Sequence, residues 1–216
     1  MRVGLIHAVA VAIEPVTDAF KQLWPEAELA NLLDDRLSVD RAKDDGLSAE
    51  MFDRIGSLAD YAENAGVGGI LFTCSAFGEA IEQVAQRKNM PVLKPNEAMF
   101  EAALEHGDRI GMLTTFERSV ASMEDEFRQL SGQRRPSATI ETVCVPKAMA
   151  ALQAGDETEH NALLADAAAQ LTHCDAIMLA QFSTSVARDA VADRIGGEVL
   201  TSPDAAVVKL KSLLTS

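Results

Sequence analysis

One cysteine is the residue best placed to do chemistry. Cys74 follows the apolar run Gly69-Ile70-Leu71-Phe72-Thr73 and precedes a stretch that favours a helix. A thiol at a turn from strand to helix lies near the positive end of a helix dipole, which lowers its pKa and favours the thiolate. Cys74 is therefore predicted to act as an acid–base group or a nucleophile. The alternative is a cysteine that only packs as a small apolar side chain.

Small polar residues follow the other apolar runs of the sequence. His7 follows the run Val3 to Ile6, and Gln181 follows the run Ala176 to Ala180. Free N–H groups at the start of a helix, together with its dipole, suit a carboxylate. The residues predicted to bind such a substrate are His7, Thr73, Ser75, Ala76, Thr114, Thr115, Phe116, Phe182 and Ser183.

The other two cysteines and the motif search indicate no further chemistry. Cys144 lies in the apolar run Val143-Cys144-Val145 and is predicted to be core, and Cys174 is expected to be structural. No Cys-x-x-Cys or His-x-x-x-His spacing occurs, so neither a disulfide framework nor a metal site is expected. No glycine-rich phosphate loop follows a strand, which disfavours a nucleotide cofactor.

Composition excludes several classes of protein. The chain has 216 residues, of which 48% are hydrophobic and 24% charged, so it is not a disordered chain or a small disulfide scaffold. Its formal net charge of −14 disfavours nucleic-acid binding. No run of about 18 apolar residues and no signal-peptide pattern is present, so we expect a cytoplasmic protein that does not bind membranes.

The sequence contains an internal repeat at an offset of 107 residues. Residues 2–23 and 109–130 align without a gap and are identical at six of 22 positions. The same offset places Ile70-Leu71-Phe72 on Ile177-Met178-Leu179, and it places Cys74 on Gln181. The chain is therefore predicted to be a duplicated unit that gives two similar lobes related by a pseudo-twofold axis.

Each half alternates short apolar runs with stretches of helical periodicity. This pattern predicts an α/β fold with one parallel sheet in each lobe. We expect the first lobe to comprise residues 1–97 plus 205–216, and the second lobe residues 98–204. Asn96 and the sequence Ser202-Pro203-Asp204 are predicted to cap the two helices that carry the chain between the lobes.

Ligands of parallel α/β sheets bind beyond the carboxyl ends of the strands. Two lobes with a pseudo-dyad can place these ends on either side of one cleft, so all the candidate residues are expected to converge there. The N–H groups of Ser75 and Phe182 are predicted to stabilise an oxyanion. The hydroxyl groups expected to assist them belong to Thr73, Ser75, Thr114, Thr115 and Ser183.

Several segments together resemble the aspartate/glutamate/hydantoin racemase superfamily, which includes arylmalonate decarboxylase and maleate isomerase. They span most of the chain, in the order that the resemblance requires. The segments are Gly69-Ile70-Leu71-Phe72-Thr73-Cys74-Ser75, Ile110-Gly111-Met112-Leu113-Thr114-Thr115-Phe116, Gly155-Asp156 with His160, and Ala176-Ile177-Met178-Leu179-Ala180-Gln181-Phe182-Ser183.

The resemblance implies two α/β lobes, no organic cofactor, no metal, and an active site between the lobes for small carboxylates or related carbonyl compounds. It also makes a homodimer plausible. Racemases of this superfamily use two cysteines, one from each half, to remove and return the α-proton on opposite faces. Cys74 matches the cysteine of the first half, whereas Gln181 stands where the second is expected.

A glutamine cannot exchange a proton near neutral pH, so the two-base mechanism is in question. The first hypothesis is a cofactor-independent isomerase or racemase-like enzyme in which Cys74 is the acid–base group and Gln181 orients the substrate. It needs His7 or a water molecule as a second proton donor if it racemises. The alternatives are a decarboxylase or lyase with one thiol, and a non-catalytic protein that binds small carboxylates.

Overall fold

The chain forms two compact units, each with its own sheet. The computed structural model describes residues 1–44 and 46–215. The first unit contains Met1–Pro95 and the chain from Ala206 onward, and the second contains Asn96–Ala205. Each unit has one four-stranded parallel sheet. The α/β class with two similar parallel-sheet lobes, expected from the repeat, is confirmed.

In the first unit the central strands are apolar and buried, apart from Arg2 and His7 at the two ends of the first strand. The first and third strands pair directly, with Val3 opposite Gly69 and Ile6 opposite Phe72. Helices cover both faces of a parallel sheet, so its inner strands are continuous apolar runs rather than alternating patterns. The strands are β1 (Arg2–His7), β2 (Glu28–Leu33), β3 (Gly69–Phe72) and β4 (Val92–Leu93), in the order β2-β1-β3-β4.

Four helices of the first unit connect these strands. Ser48 begins the longest of them, because its hydroxyl accepts a hydrogen bond from the N–H of Met51 at 3.3 Å. This helix packs closely on the sheet, since a Cβ at Gly4 would lie 3.3 Å from the Cβ of Ala62. The helices are α1 (Ile13–Leu23), α2 (Leu37–Arg41), α3 (Ala49–Asn64) and α4 (Gly78–Arg87).

The second unit repeats this architecture with the strand order β6-β5-β7-β8. Its central strands pair in the same way, with Gly111 opposite Ile177. The strands are β5 (Arg109–Thr114), β6 (Thr139–Cys144), β7 (Ala176–Leu179) and β8 (Val199–Thr201). The helices are α5 (Glu97–His106), α6 (Val120–Arg134), α7 (Pro146–Gln153), α8 (Glu157–Ala168), α9 (Arg188–Ile195) and α10 (Ser202–Thr215), the last of which ends in the first unit.

The helices that follow the two central strands begin later than their sequence predicts. A 3-10 turn, Ser75–Phe77, precedes α4, and a longer one, Phe182–Ala187, precedes α9. In the second unit the Thr184 side chain closes this turn, because its hydroxyl donates to the carbonyl of Gln181 at 2.7 Å. The residues after each central strand therefore belong to a tight turn and not to an α-helix.

Asn96 stands at the predicted N-cap position of α5 but makes no side-chain capping hydrogen bond, and the predicted cap of α10 is one residue off. The side-chain oxygen of Asn96 instead accepts a 2.8 Å hydrogen bond from the buried Ser202 hydroxyl. Thr201 caps α10 instead, since its hydroxyl oxygen accepts from the N–H of Asp204 at 3.2 Å. Within residues 1–44 and 46–215, no helix is long and apolar enough to cross a membrane.

Candidate functional site

The carboxyl edge of the first sheet carries the thiol. Cys74 lies two residues beyond the end of β3, beside the end of β1, where His7 is the last residue. The short helix α2 follows β2 and so lies at the same edge. Ser38 fixes this helix to β1, because its hydroxyl donates to the carbonyl of Ala8 at 3.2 Å.

Opposing effects act on the thiol of Cys74. Burial raises the pKa of the Cys74 thiol and is the largest effect. The N–H of Ala76, the charge of Arg41 and the Ser38 hydroxyl, whose one proton is shared between the sulfur and the Ala8 carbonyl, act in the opposite direction. The expectation of a lowered pKa is therefore wrong. Removal of the sulfur from water outweighs its polar contacts, and the thiol is neutral at rest.

His7 is a buried connector between two side chains. Its Nε2 lies 2.9 Å from the Oδ1 of Asn31, and its Nδ1 lies 2.9 Å from the Oγ1 of Thr73. An amide oxygen only accepts, so Nε2 carries the proton and Nδ1 of the neutral ring accepts from Thr73. Burial lowers the pKa of His7, which favours this neutral form. Both nitrogens are thus occupied, and His7 fixes Thr73 beside the thiol rather than supplying a second proton.

Two residues of this edge were missed from sequence. Ser38 and Arg41 belong to α2. The Nε of Arg41 donates to the carbonyl of Ala76 at 3.3 Å, and its Nη1 donates to the carbonyl of Asp44 at 2.6 Å. In the part of the chain that the structure describes, Arg41 forms no ion pair with a carboxylate. The rule that ligands bind at carboxyl ends, applied also to β2, would have indicated this helix.

Gln181 is held by its own unit. Its Oε1 accepts from the N–H and the hydroxyl of Thr115, at 2.9 and 3.0 Å. Its Nε2 donates to the hydroxyls of Thr114 and Ser119, at 2.9 and 3.3 Å. A primary amide has two donors and two acceptor positions, so these four contacts use all of them. Gln181 therefore organises the edge of the second sheet.

The remaining predicted residues of the second unit differ in exposure. Thr114, Thr115, Phe182 and Ser183 are buried, whereas the Phe116 side chain is 51% exposed. The N–H of Phe116 donates to the Thr114 hydroxyl at 3.4 Å. In the first unit Thr73 is buried, Ser75 is partly buried and Ala76 is exposed.

All three cysteines are partly buried. Cys144, predicted to be core, is instead the last residue of β6, an edge strand, opposite Thr114. Burial raises its pKa, and the nearby Glu117 adds to this effect. Cys174 precedes β7 and lies at the amino edge of the second sheet, away from the ends of the strands that carry Thr114 and Gln181.

Comparison with known proteins agrees with this architecture. A family model described as Asp/Glu/Hydantoin racemase matches residues 30–210. Glutamate racemase isoform RacE1 from Bacillus anthracis superposes with a TM-score of 0.75 at 11% identity, covering 99% of this chain and 81% of that one. Allantoin racemase from Klebsiella pneumoniae gives 0.73 at 16% identity, covering 100% and 88%.

A variant of arylmalonate decarboxylase has the same fold, with a TM-score of 0.70 at 16% identity, covering 98% of this chain and 94% of that one. No match was found among curated protein sequences. Its two parallel sheets, with polar residues beyond their strand ends, give this chain the fold of these racemases. The chain belongs to the Asp/Glu/Hydantoin racemase family.

Proposed function

We propose that this protein is a cofactor-independent enzyme in which Cys74 transfers a proton at the carbon next to a carboxylate or carbonyl of a small acid. The observation that carries the proposal is the group of polar contacts around the sulfur: the Ala76 N–H, the Ser38 hydroxyl and the Arg41 charge. These are groups that favour a thiolate, and they surround a thiol that burial keeps neutral.

This combination suits an acid–base residue. The thiol first gives its proton to water, and the Ala76 N–H and the Arg41 charge stabilise the electron pair left on sulfur. The thiolate takes the proton from the carbon next to the carboxylate or carbonyl, and the electron pair of that C–H bond forms the carbanion or enediolate. The thiol then returns the proton to this carbon or to an adjacent one, and a proton from water restores the starting state. Protons lost and gained at sulfur therefore balance over each cycle.

Proton transfer is expected on one face of the substrate only. Gln181 stands where the family resemblance places a second cysteine, and its amide is fully engaged with Thr114, Thr115 and Ser119. His7 is neutral with both nitrogens occupied. Neither supplies the opposite face, which favours an isomerase that moves a proton with one thiol over a two-base racemase.

Arg41 is the cation that we assign to the substrate carboxylate or to its enolate oxygen. Two of its N–H groups bind the carbonyls of Ala76 and Asp44, and within residues 1–44 and 46–215 its other three N–H donors have no hydrogen-bond acceptor. An arginine is suited to this task, since its planar donors match the two oxygens of a carboxylate.

A decarboxylase is the second candidate. Loss of carbon dioxide leaves a carbanion that must be protonated, and a thiol that is neutral at rest is ready for that step. Only substrates with a second carboxyl group on the reacting carbon, such as malonate-type acids, would then turn over. A non-catalytic carboxylate-binding protein is the third reading retained from the sequence.

Deuterium exchange tests these proposals. The protein is incubated in D2O with small 2-substituted and malonate-type acids, and proton NMR follows the α-position. We expect deuterium at one configuration, and a loss of about 10²- to 10⁴-fold in rate for Cys74→Ala. Cys144→Ser is the matched control and keeps the wild-type rate. Arg41→Met should raise KM more than tenfold, because the carboxylate loses its cation.

Full activity in Cys74→Ala, or a racemic labelled product, would contradict the one-thiol mechanism. Release of carbon dioxide from malonate-type acids, with deuterium in their products and no exchange in the other acids, would support the decarboxylase. Binding of an acid by calorimetry with no exchange and no turnover would select the binding protein.

A further inference from the structure

The amino edge of the second sheet contains a cavity that the proposed reaction does not use. Its volume is about 340 Å³. Arg109 and Thr139, the first residues of β5 and β6, line it together with Glu141, His173 and Cys174. The ends of these strands that carry Thr114 and Cys144 lie at the opposite edge, so this cavity is separate from the site assigned to the reaction.

Three side chains that can bind a metal meet in this cavity. One oxygen of Glu141, one ring nitrogen of His173 and the sulfur of Cys174 all lie within 4.8 Å of one another. His173 and Glu141 already touch, with 2.9 Å between Nε2 and Oε2. Among residues 1–44 and 46–215 this is the one group of three such side chains.

We propose that Glu141, His173 and Cys174 form a binding site for a zinc ion. The set of one thiolate, one imidazole and one carboxylate matches the ligands that Zn²⁺ prefers, and it leaves the fourth tetrahedral position for water. Calcium and magnesium prefer sets made of oxygen alone, so a sulfur and a nitrogen in the site select against them.

The backbone around the three ligands is already fixed. The N–H of Cys174 donates to the carbonyl of Leu171 at 2.9 Å, and Glu141 lies within the sheet opposite Gly111. Arg109 is the nearby cation, and its guanidinium is paired with the carboxylate of Asp175 at 2.8 Å. Its charge is therefore compensated next to the site.

Zinc binding exchanges one set of contacts for another. The thiol of Cys174 releases its proton to solvent, and the sulfur electron pair forms the bond to the metal. His173 would bind the metal through the lone pair of Nε2, so that in the bound state Nε2 carries no proton and no longer binds Glu141. The carboxylate of Glu141, freed from this hydrogen bond, becomes the third ligand.

Sequence spacing does not indicate this site. His173 and Cys174 are neighbours in the chain, whereas Glu141 lies 32 residues before His173. Strand β6 brings Glu141 close to them in the folded unit. The proposal departs from the expectation of no metal site, which rested on the lack of local ligand repeats and on the family resemblance. It is independent of the proposed reaction, because it involves the other edge of the sheet.

Cobalt(II) is the spectroscopic probe, added to the untagged full-length protein, with zinc as competitor. We expect one equivalent of cobalt to bind, with a thiolate-to-metal absorption band in the near ultraviolet that zinc abolishes. Cys174→Ser should remove the band, and His173→Ala and Glu141→Gln should weaken binding by more than about tenfold. Cys144→Ser, which changes another partly buried cysteine of the same unit, should bind as the wild type does.

Alkylation of the wild-type protein gives a second test that needs no variant. Zinc should slow iodoacetamide labelling of Cys174 more than about tenfold and leave Cys144 unaffected, as read by mass spectrometry. Equal labelling of Cys174 with and without zinc, no cobalt band in the wild type, or a band that survives Cys174→Ser, would overturn the proposal. Wild-type affinity for cobalt in Glu141→Gln would also overturn it, because the carboxylate would then not be a ligand of the metal.

Discussion

At Cys74 a single atom is subject to two opposing influences. Burial favours the neutral thiol, whereas Ser38, Ala76 and Arg41 favour the thiolate. A group that acts as both acid and base must be able to form both the thiol and the thiolate. The polar contacts bring the free energies of these two forms closer together than burial alone would. The chemical character of the site therefore depends on α2 as much as on the cysteine itself.

His7 gives a prediction about stability and pH. Its pKa is lower in the folded state than in the unfolded chain, so the unfolded state binds more protons as the pH falls through about 6.5. Stability contributed by neutral His7 is present above that pH and is lost below it. His7→Asn should lower Tm at pH 7.5, because the loss of the hydrogen bonds to Asn31 and Thr73 costs about 1–3 kcal/mol of stability. It should also reduce the change in Tm between pH 7.5 and pH 5.

His106 is the matched control, because its side chain is exposed in the last turn of α5. His106→Asn should lower Tm at pH 7.5 much less than His7→Asn does, measured by thermal unfolding. A His7→Asn variant with an unchanged dependence would show that the histidine is not held neutral.

The sequence was sufficient to predict the position of the thiol but not its chemical state. An apolar run followed by Cys74 places the residue at a strand end, and the structure agrees. The direction of its pKa shift depends on how deeply the sulfur is buried and on residues 33–36 positions earlier in the chain. The same holds for Gln181, whose four hydrogen bonds come from three residues, Thr114, Thr115 and Ser119, that lie 62–67 positions earlier in the chain.

Helix α2 is held in place by one arginine of α3. The guanidinium of Arg54 pairs with Asp34 at 2.6 Å and with Asp40 at 2.8 Å, and all three side chains are largely buried. Lys43 and Arg54 together lower the pKa of Asp40 to about 2. Removal of Arg54 leaves two carboxylates close together without their shared cation.

Arg54→Gln should therefore loosen α2, and with it Ser38 and Arg41, while the sheet stays intact. We expect kcat/KM for the exchange reaction to fall about three- to tenfold, because small misplacements at a reacting group are costly. Arg36→Gln is the control, since its guanidinium is exposed and lies 4.0 Å from the same Asp40. Wild-type kcat/KM in Arg54→Gln, with an unchanged circular dichroism spectrum, would contradict this positioning role.

The regular elements were predictable because they repeat strong local signals. All eight strands lie at the apolar runs, and the long helices have the expected periodicity. The short helices α2 and α7 were missed, since five to eight residues are too few to show a clear apolar face. The 3-10 turns were missed because three to six residues are too few to show a periodic pattern.

At the scale of the whole molecule, the two units differ in continuity. The second unit is one unbroken segment of about 110 residues with its own sheet and buried clusters. The first unit needs the C-terminal helix, since Leu210 and Leu214 pack at Gly69 and Lys211 donates to the carbonyl of Leu23 at 2.9 Å. The units should therefore behave differently when separated.

A fragment of residues 96–205 should fold alone and unfold in one cooperative thermal transition, with an enthalpy of about 60–80 kcal/mol by calorimetry. A fragment of residues 1–95 should show no such transition. A permuted fragment, in which residues 206–216 precede residue 1 through a short Gly/Ser linker, should recover it. This order is feasible because Met1 and Leu214 lie at the adjacent residues Gly68 and Gly69. A cooperative transition in residues 1–95 alone would refute the need for the helix.

The saturated amide of Gln181 has a consequence for the design of enzymes on this scaffold. A cysteine at that position would offer one weak donor and one weak acceptor in place of four good hydrogen bonds. The N–H of Thr115 and three hydroxyl groups would have to find new partners at the same time. A second thiol is therefore not accessible by one substitution; it requires coordinated changes at positions 114, 115 and 119, an epistatic barrier that an engineer would have to cross in several steps.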